Sequence, residues 1–162
     1  MKPLLTTWLT VVLVAAAAGW NVRAGQFEDL GIPVKKAGLM GFVVGPDPSG
    51  QRDMVYLNFM QNAGRLLLLA VDPQTGKAEP YFSPQDSGGW ATVLGPDQKG
   101  YLGTFGQGLI LRFDPARPEQ GVQVVGRPSA TESYVWQLVV GPDKRLYGCT
   151  YPSAKLVAYD PA

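Results

Sequence analysis

The chain has 162 residues, 46% of them hydrophobic and 17% charged, with 20 Gly and 14 Pro. Its formal net charge of +1 leaves no basic footprint for nucleic acid or for an anionic membrane surface. It contains no His, which removes the commonest general base and the commonest zinc ligand.

Residues 1–24 have the three-part pattern of a secretory signal peptide. Lys2 gives a positive start, Leu4 to Ala18 an apolar run, and Val22-Arg23-Ala24 a small-residue cleavage site before Gly25. The apolar run is about 15 residues, short of the roughly 20 needed to span a bilayer. The expectation is export to the periplasm or the extracellular space, with no membrane contact after cleavage; a retained anchor is the alternative. Residues 25–38 follow, with Phe27, Leu30, Ile32 and Val34 spaced mostly by two or three. This segment reads as a lone strand able to close a ring by completing a final structural unit.

Residues 39–162 read as three units of short strands. In the first, 39–82, strands are expected at Leu39–Val44, Met54–Phe59, Arg65–Asp72 and Ala78–Phe82. Pro73 and Gly76 suit the turn after Asp72, and Pro80 suits an edge strand that donates no ladder bond. The second unit, 90–125, has strands at Trp90–Leu94, Tyr101–Phe105, Leu109–Asp114 and Val122–Val125. The third, 136–162, has Trp136–Val140, Leu146–Tyr151 and Lys155–Asp160 and lacks a fourth strand.

The phrase from Gly95 to Pro115 returns as Gly141 to Pro161, an offset of 46 positions, and a longer version runs from Gly45 to Pro73. From Gly-Pro-Asp to Asp-Pro the distance is 19 residues in the second and third units and 27 in the first. Aligning Val55–Phe59 with Tyr101–Phe105 divides the excess equally between two loops, which leaves the strands intact. Four antiparallel strands in about 45 residues is the blade of a β-propeller. The fold expected is therefore all-β, with about three blades present. Because propellers have roughly four to eight blades, either the chain is part of a longer product or several copies complete a ring.

The pattern GPD-x-x-x-Y-x-G-T … L-x-x-F/Y-D-P, carried by Gly95 to Pro115 and Gly141 to Pro161, resembles the blades of exported bacterial propellers in the streptogramin lyase and gluconolactonase-like group. The resemblance covers most of the chain after residue 24 and rests on turn and core residues. Catalytic members of that group use a bound metal or a His near the central channel. With no His here, the proton-transfer residue of the lyase is missing from this segment, and no metal-ligand set carries over. No cofactor is expected.

Six acids, Asp47, Asp97 and Asp143 and then Asp72, Asp114 and Asp160, recur in every unit and read as turn caps. Propeller ligands usually bind at the rim shared by the loops that lead into the innermost strand and those joining the second and third strands. On that rim the sequence places Asp86 and Glu132, together with Trp90, Trp136, Tyr134, Phe105 and Tyr151. A Trp there could stack on a sugar ring or another flat ligand, or pack between adjacent blades. Cys149 reads as a small buried residue. Two functions are compatible with this pattern. One is an exported scaffold that binds a carbohydrate or protein ligand on its rim. The other is the N-terminal part of a lyase- or lactonase-type enzyme whose key residues lie on further blades.

Overall fold

A computed structural model describes residues 31, 32, 34, 35, 37–60 and 64–162. The chain divides into Met1–Pro33 and Val34–Ala162. The segment expected to be a signal peptide, Phe27 and Leu30 lie outside the described residues. Among the described residues no helix is long and apolar enough to cross a membrane.

The second unit is all-β and consists of three antiparallel sheets. Sheet one takes β1 (Gly38–Pro46), β2 (Asp53–Met60), β3 (Leu67–Val71) and β4 (Ala78–Phe82), paired in sequence order. Sheet two repeats that order with β5 (Gly89–Leu94), β6 (Gly100–Thr104), β7 (Ile110–Phe113) and β8 (Val122–Gly126). Between β7 and β8 lies a single 3₁₀ turn, Pro118–Gln120. Sheet three has β9 (Tyr134–Val140), β10 (Leu146–Tyr151) and β11 (Leu156–Tyr159), paired in the same sense. Each strand expected within residues 39–162 is present, and Pro80 does sit on the edge strand β4.

Turn chemistry fixes where these strands stop. Asp72 Oδ1 accepts the backbone N–H groups of Gln74 at 2.8 Å and Thr75 at 3.2 Å, and Gly76 closes the turn at φ 69°. Asp114 Oδ1 accepts Ala116 N–H at 3.0 Å, and Asp160 Oδ1 accepts Ala162 N–H at 3.1 Å. Each carboxylate thus satisfies backbone donors that the ladder leaves behind.

The Gly-Pro-Asp turns are each covered by a tyrosine ring. Tyr101 donates to Asp97 Oδ2 at 3.0 Å and Tyr147 to Asp143 Oδ2 at 2.7 Å, while Tyr56 donates to the Pro46 carbonyl. A Cβ on Gly95 or Gly141 would stand 2.6 Å from its tyrosine ring, so that position admits only glycine. Strand register shows the same equivalence, because Tyr56, Tyr101 and Tyr147 pair with Val43, Val93 and Val139. The expected alignment of Val55 with Tyr101 is therefore one residue off. Tyr56 is the counterpart of Tyr101, so the first loop holds five of the extra residues and the second three. The tyrosine's reach back to its own turn sets the register, and this tie is invisible in strand hydrophobicity.

The sheets pack face to face through alternate residues. Leu66, Leu68 and Ala70 join Tyr56 against Leu102, Leu109, Leu111, Phe113 and Val122 to form the core between sheets one and two. Between sheets two and three lie Ala91, Tyr101 and Ile110 against Val135, Leu138 and Leu146. β1 packs on β5 and β5 on β9, so the first strand of each sheet lies beside the first strand of the next. The run Leu66–Ala70 is buried throughout because its other set, Leu67 and Leu69, faces away with Phe59.

Val34 and Ala37 pack on that outer cluster. In the segment expected as a ring-closing strand, the described residues 31, 32, 34, 35 and 37 form no strand. Cys149, expected to be buried, is exposed. It sits in β10 on the face of sheet three turned away from sheet two, where no further sheet lies among the described residues.

Candidate functional site

One irregularity recurs in the first strand of each sheet and positions the aromatic residues. In β1 the pairing skips from Leu39 to Gly41, in β5 from Gly89 to Ala91, and in β9 from Val135 to Gln137. The skipped residues are Met40, Trp90 and Trp136. A bulge leaves one residue out of the ladder and re-aims its side chain, and here it does so at the same register position three times.

The two indoles meet, with ring centroids 4.6 Å apart. Around them gather residues from the neighbouring strand ends. Tyr134 lies nearly parallel to Trp136 at 5.6 Å, and Phe105 nearly parallel to Tyr134 at 6.0 Å. Tyr151 presents its edge to Tyr134 at 5.3 Å and to Trp136 at 6.2 Å. An isolated antiparallel bridge between Phe105 and Tyr134 ties sheet two to sheet three at this end. Such tilted and edge contacts each add stability beyond buried area, by about 0.5–1.5 kcal/mol.

The cluster is accessible. Trp136 is 40% and Tyr151 50% exposed. Trp90 is half-buried, and its indole nitrogen has no hydrogen-bond partner. Along the first strands a concavity of about 180 Å³ is lined by Met40, Phe42, Trp90, Thr92, Trp136 and Gln137, among others. Trp136 of sheet three meets Trp90 of sheet two and also lines this concavity, so contact between the sheets and stacking on a ligand are both open to it.

The two acids expected on the rim have a different occupation. Asp86 Oδ2 accepts the Thr104 hydroxyl at 2.6 Å and Gln107 N–H at 3.0 Å, and its Oδ1 accepts Ser87 N–H at 2.9 Å. Glu132 Oε2 accepts the Thr150 hydroxyl at 2.9 Å and Ser153 N–H at 3.0 Å. Its Oε1 takes the Thr131 hydroxyl at 3.2 Å, with Lys155 Nζ 3.9 Å away. Both carboxylates pin the loop that leads into a sheet to the hairpin between that sheet's second and third strands. Burial acts to raise the Glu132 pKa, but hydrogen bonds from Ser153, Thr150 and Thr131 outweigh it and hold the carboxyl below its ordinary value.

Chemically, then, the site divides. Trp136, Tyr151, Tyr134, Trp90 and Phe105 offer ring faces and edges, while Asp86 and Glu132 are spent on the frame. The sequence carried a signal for that second role: each acid precedes its tryptophan by four residues and its threonine by 18. Among the described residues no group of three His, Cys, Asp or Glu side chains could hold a metal ion. Comparison of the chain with family models, with curated proteins and with solved structures gave no match.

Proposed function

We propose that this chain supplies blades of an exported β-propeller whose rim binds a carbohydrate through the aromatic cluster at Trp136. The observation that carries the reading is the exposed Trp136, nearly parallel to the partly buried Tyr134, beside an open concavity. Sugar rings present apolar C–H faces that stack on indole and phenol rings, and the phenol hydroxyls can take part in hydrogen bonding. The ring architecture is supported by the shared strand order and by the side-by-side packing of the first strands. Binding is favoured over the lyase or lactonase reading because both carboxylates at this end anchor loops.

Titration of the protein with a panel of neutral oligosaccharides, followed by tryptophan fluorescence, tests this. A saturable change is expected, and Trp136→Ala should weaken it about tenfold or more, the equivalent of roughly 1.4 kcal/mol, at unchanged melting temperature. Equal binding by Trp136→Ala, or no response to any sugar, would overturn the proposal.

A further inference from the structure

The interface between sheets one and two carries a polar pair that its sister interface lacks. Asn58 on β2 is fully buried, yet its side chain reaches β5. Its Nδ2 donates to the Gly89 carbonyl at 3.2 Å and to the Thr92 hydroxyl at 2.9 Å. Its Oδ1 has no partner, and an unmet buried acceptor costs stability. Between sheets two and three, strand register puts Gly103 in the place of Asn58 and Leu138 in the place of Thr92. There the contact is apolar, with Leu138 packed in the core. The fold can therefore fill this position without hydrogen bonds, and packing alone does not account for Asn58.

The pair fixes the direction of one proton. The Gly89 carbonyl can only accept, so the nitrogen of the Asn58 amide must lie on that side. The same nitrogen meets Thr92, whose oxygen must then accept and whose own hydrogen points elsewhere. No acceptor among the described residues takes that hydrogen. Thr92 is half-buried and lines the same concavity as the exposed Trp136. Gly41 borders it from β1, and a Cβ there would stand 3.1 Å from the Thr92 oxygen, so glycine keeps that side of the hydroxyl open. None of the residues lining the concavity has an ionisable side chain.

We propose that Thr92, oriented by Asn58, donates a hydrogen bond to a hydroxyl oxygen of an uncharged saccharide whose ring stacks on Trp136. Asn58 is a positioning residue, and Thr92 touches the ligand and sets specificity. A stacked ring alone tells sugars apart poorly, because each presents C–H faces. A fixed donor rejects an analogue that lacks the matching oxygen, since its hydrogen is then left unpaired. The inference rests on the carbohydrate reading above and adds to it the group that discriminates.

Tryptophan fluorescence titration of the full chain with neutral oligosaccharides and galacturonate oligomers identifies the tightest binder. That sugar and its monodeoxy derivatives are the probes. The wild type should lose about fivefold or more in affinity for one derivative, as expected for one hydrogen bond. Thr92→Val should bind the parent sugar that much more weakly, and should bind the same derivative as well as the parent. Thr92→Ser, which keeps the hydroxyl, should retain the wild-type preference. Asn58→Asp sets an acceptor against the Thr92 hydroxyl, draws its hydrogen away from the concavity and should erase the preference too. If that variant does not fold, the two Thr92 variants decide. A merely structural role would change affinity or melting temperature and leave the preference among derivatives in place, which would overturn the proposal. So would a wild type that binds every derivative like the parent, or tighter binding of the galacturonate oligomers. Equal binding by Thr92→Val, with Trp136→Ala still weakened, would overturn it and leave the carbohydrate site standing. No response to any sugar would overturn both.

Discussion

Thr150 donates its hydroxyl to Glu132 at 2.9 Å although the carboxylate is only 1% exposed. Thr104 makes the same bond to Asp86 one sheet earlier, at 2.6 Å. Thr150→Val keeps the shape of the side chain and removes the donor. It should destabilise the fold by about 1–3 kcal/mol, the cost of leaving a buried polar partner short of a bond. Thermal melts of the variant will show this, with sugar affinity unchanged if the acid serves the frame.

Gly103 of sheet two faces Val135 of sheet three so closely that a Cβ there would lie 2.6 Å from the valine side chain. Gly103→Val forces a side chain into the space of Val135 and should cost about 1–3 kcal/mol by overpacking. Combining it with Val135→Gly removes the side-chain part of the clash and leaves the Val135 carbonyl, 2.9 Å from where the new Cβ would stand. Denaturant melts of both single variants and the double variant should therefore show a positive coupling. Strictly additive losses would mean that the two positions do not share one space.

The tyrosine over each Gly-Pro-Asp turn can be probed singly. Tyr101→Phe deletes the bond to Asp97, whose carboxylate keeps the Lys99 ammonium at 3.1 Å. The expected cost is about 1 kcal/mol, that of one hydrogen bond. Burial and the Asp97 bond also hold the Tyr101 phenol above its ordinary pKa. In an alkaline absorbance titration Tyr101→Phe should thus remove a late-titrating phenol and leave the early ones unchanged.

Acid should weaken the first hairpin. The Ser49 hydroxyl, at 2.8 Å, is the main cause that brings Asp47 down from 3.8 to about 2; backbone N–H groups of Arg52 and Gln51 and the Arg52 charge add to it against the effect of burial. A carboxyl with a depressed folded pKa stabilises above its unfolded value and loses that contribution as pH falls through the folded one. Stability should therefore decline between about pH 4 and pH 2. Asp47→Asn should be less stable at neutral pH and show a shallower decline, as measured by melts across that range. A decline as steep as that of the wild type would assign the acid sensitivity elsewhere.

Strand positions were legible in the sequence because local rules place them. Proline and glycine mark the turns, repeated aspartates cap them, and apolar runs such as Leu66–Ala70 fill both faces. The one-residue error at Tyr56 arose where hydrophobic patterning is degenerate: Val55-Tyr56-Leu57 can be slid by one and still look apolar. What decides the register is a hydroxyl reaching back ten residues to Pro46, a contact defined only in three dimensions. The hydrogen bonds of Asp86 and Glu132 were hidden for a related reason. A carboxylate in a loop looks available until the threonine and backbone donors that fold around it are known. The exposure of Cys149 followed from which sheet faces lie against others, which strand patterns alone leave open.

The recurring bulge has a consequence for how this architecture can vary. At Met40, Trp90 and Trp136 the side chain leaves the hydrogen-bonded ladder, so its identity is uncoupled from cross-strand pairing. Neighbouring residues such as Gly41, Ala91 and Leu138 are held by the sheet beside them and have little freedom to change. Mutation can therefore sample thioether, indole or other groups at the bulge while the scaffold keeps its geometry. Such a position is where new specificity would arise at least risk to folding, and where a combinatorial library should be randomised first.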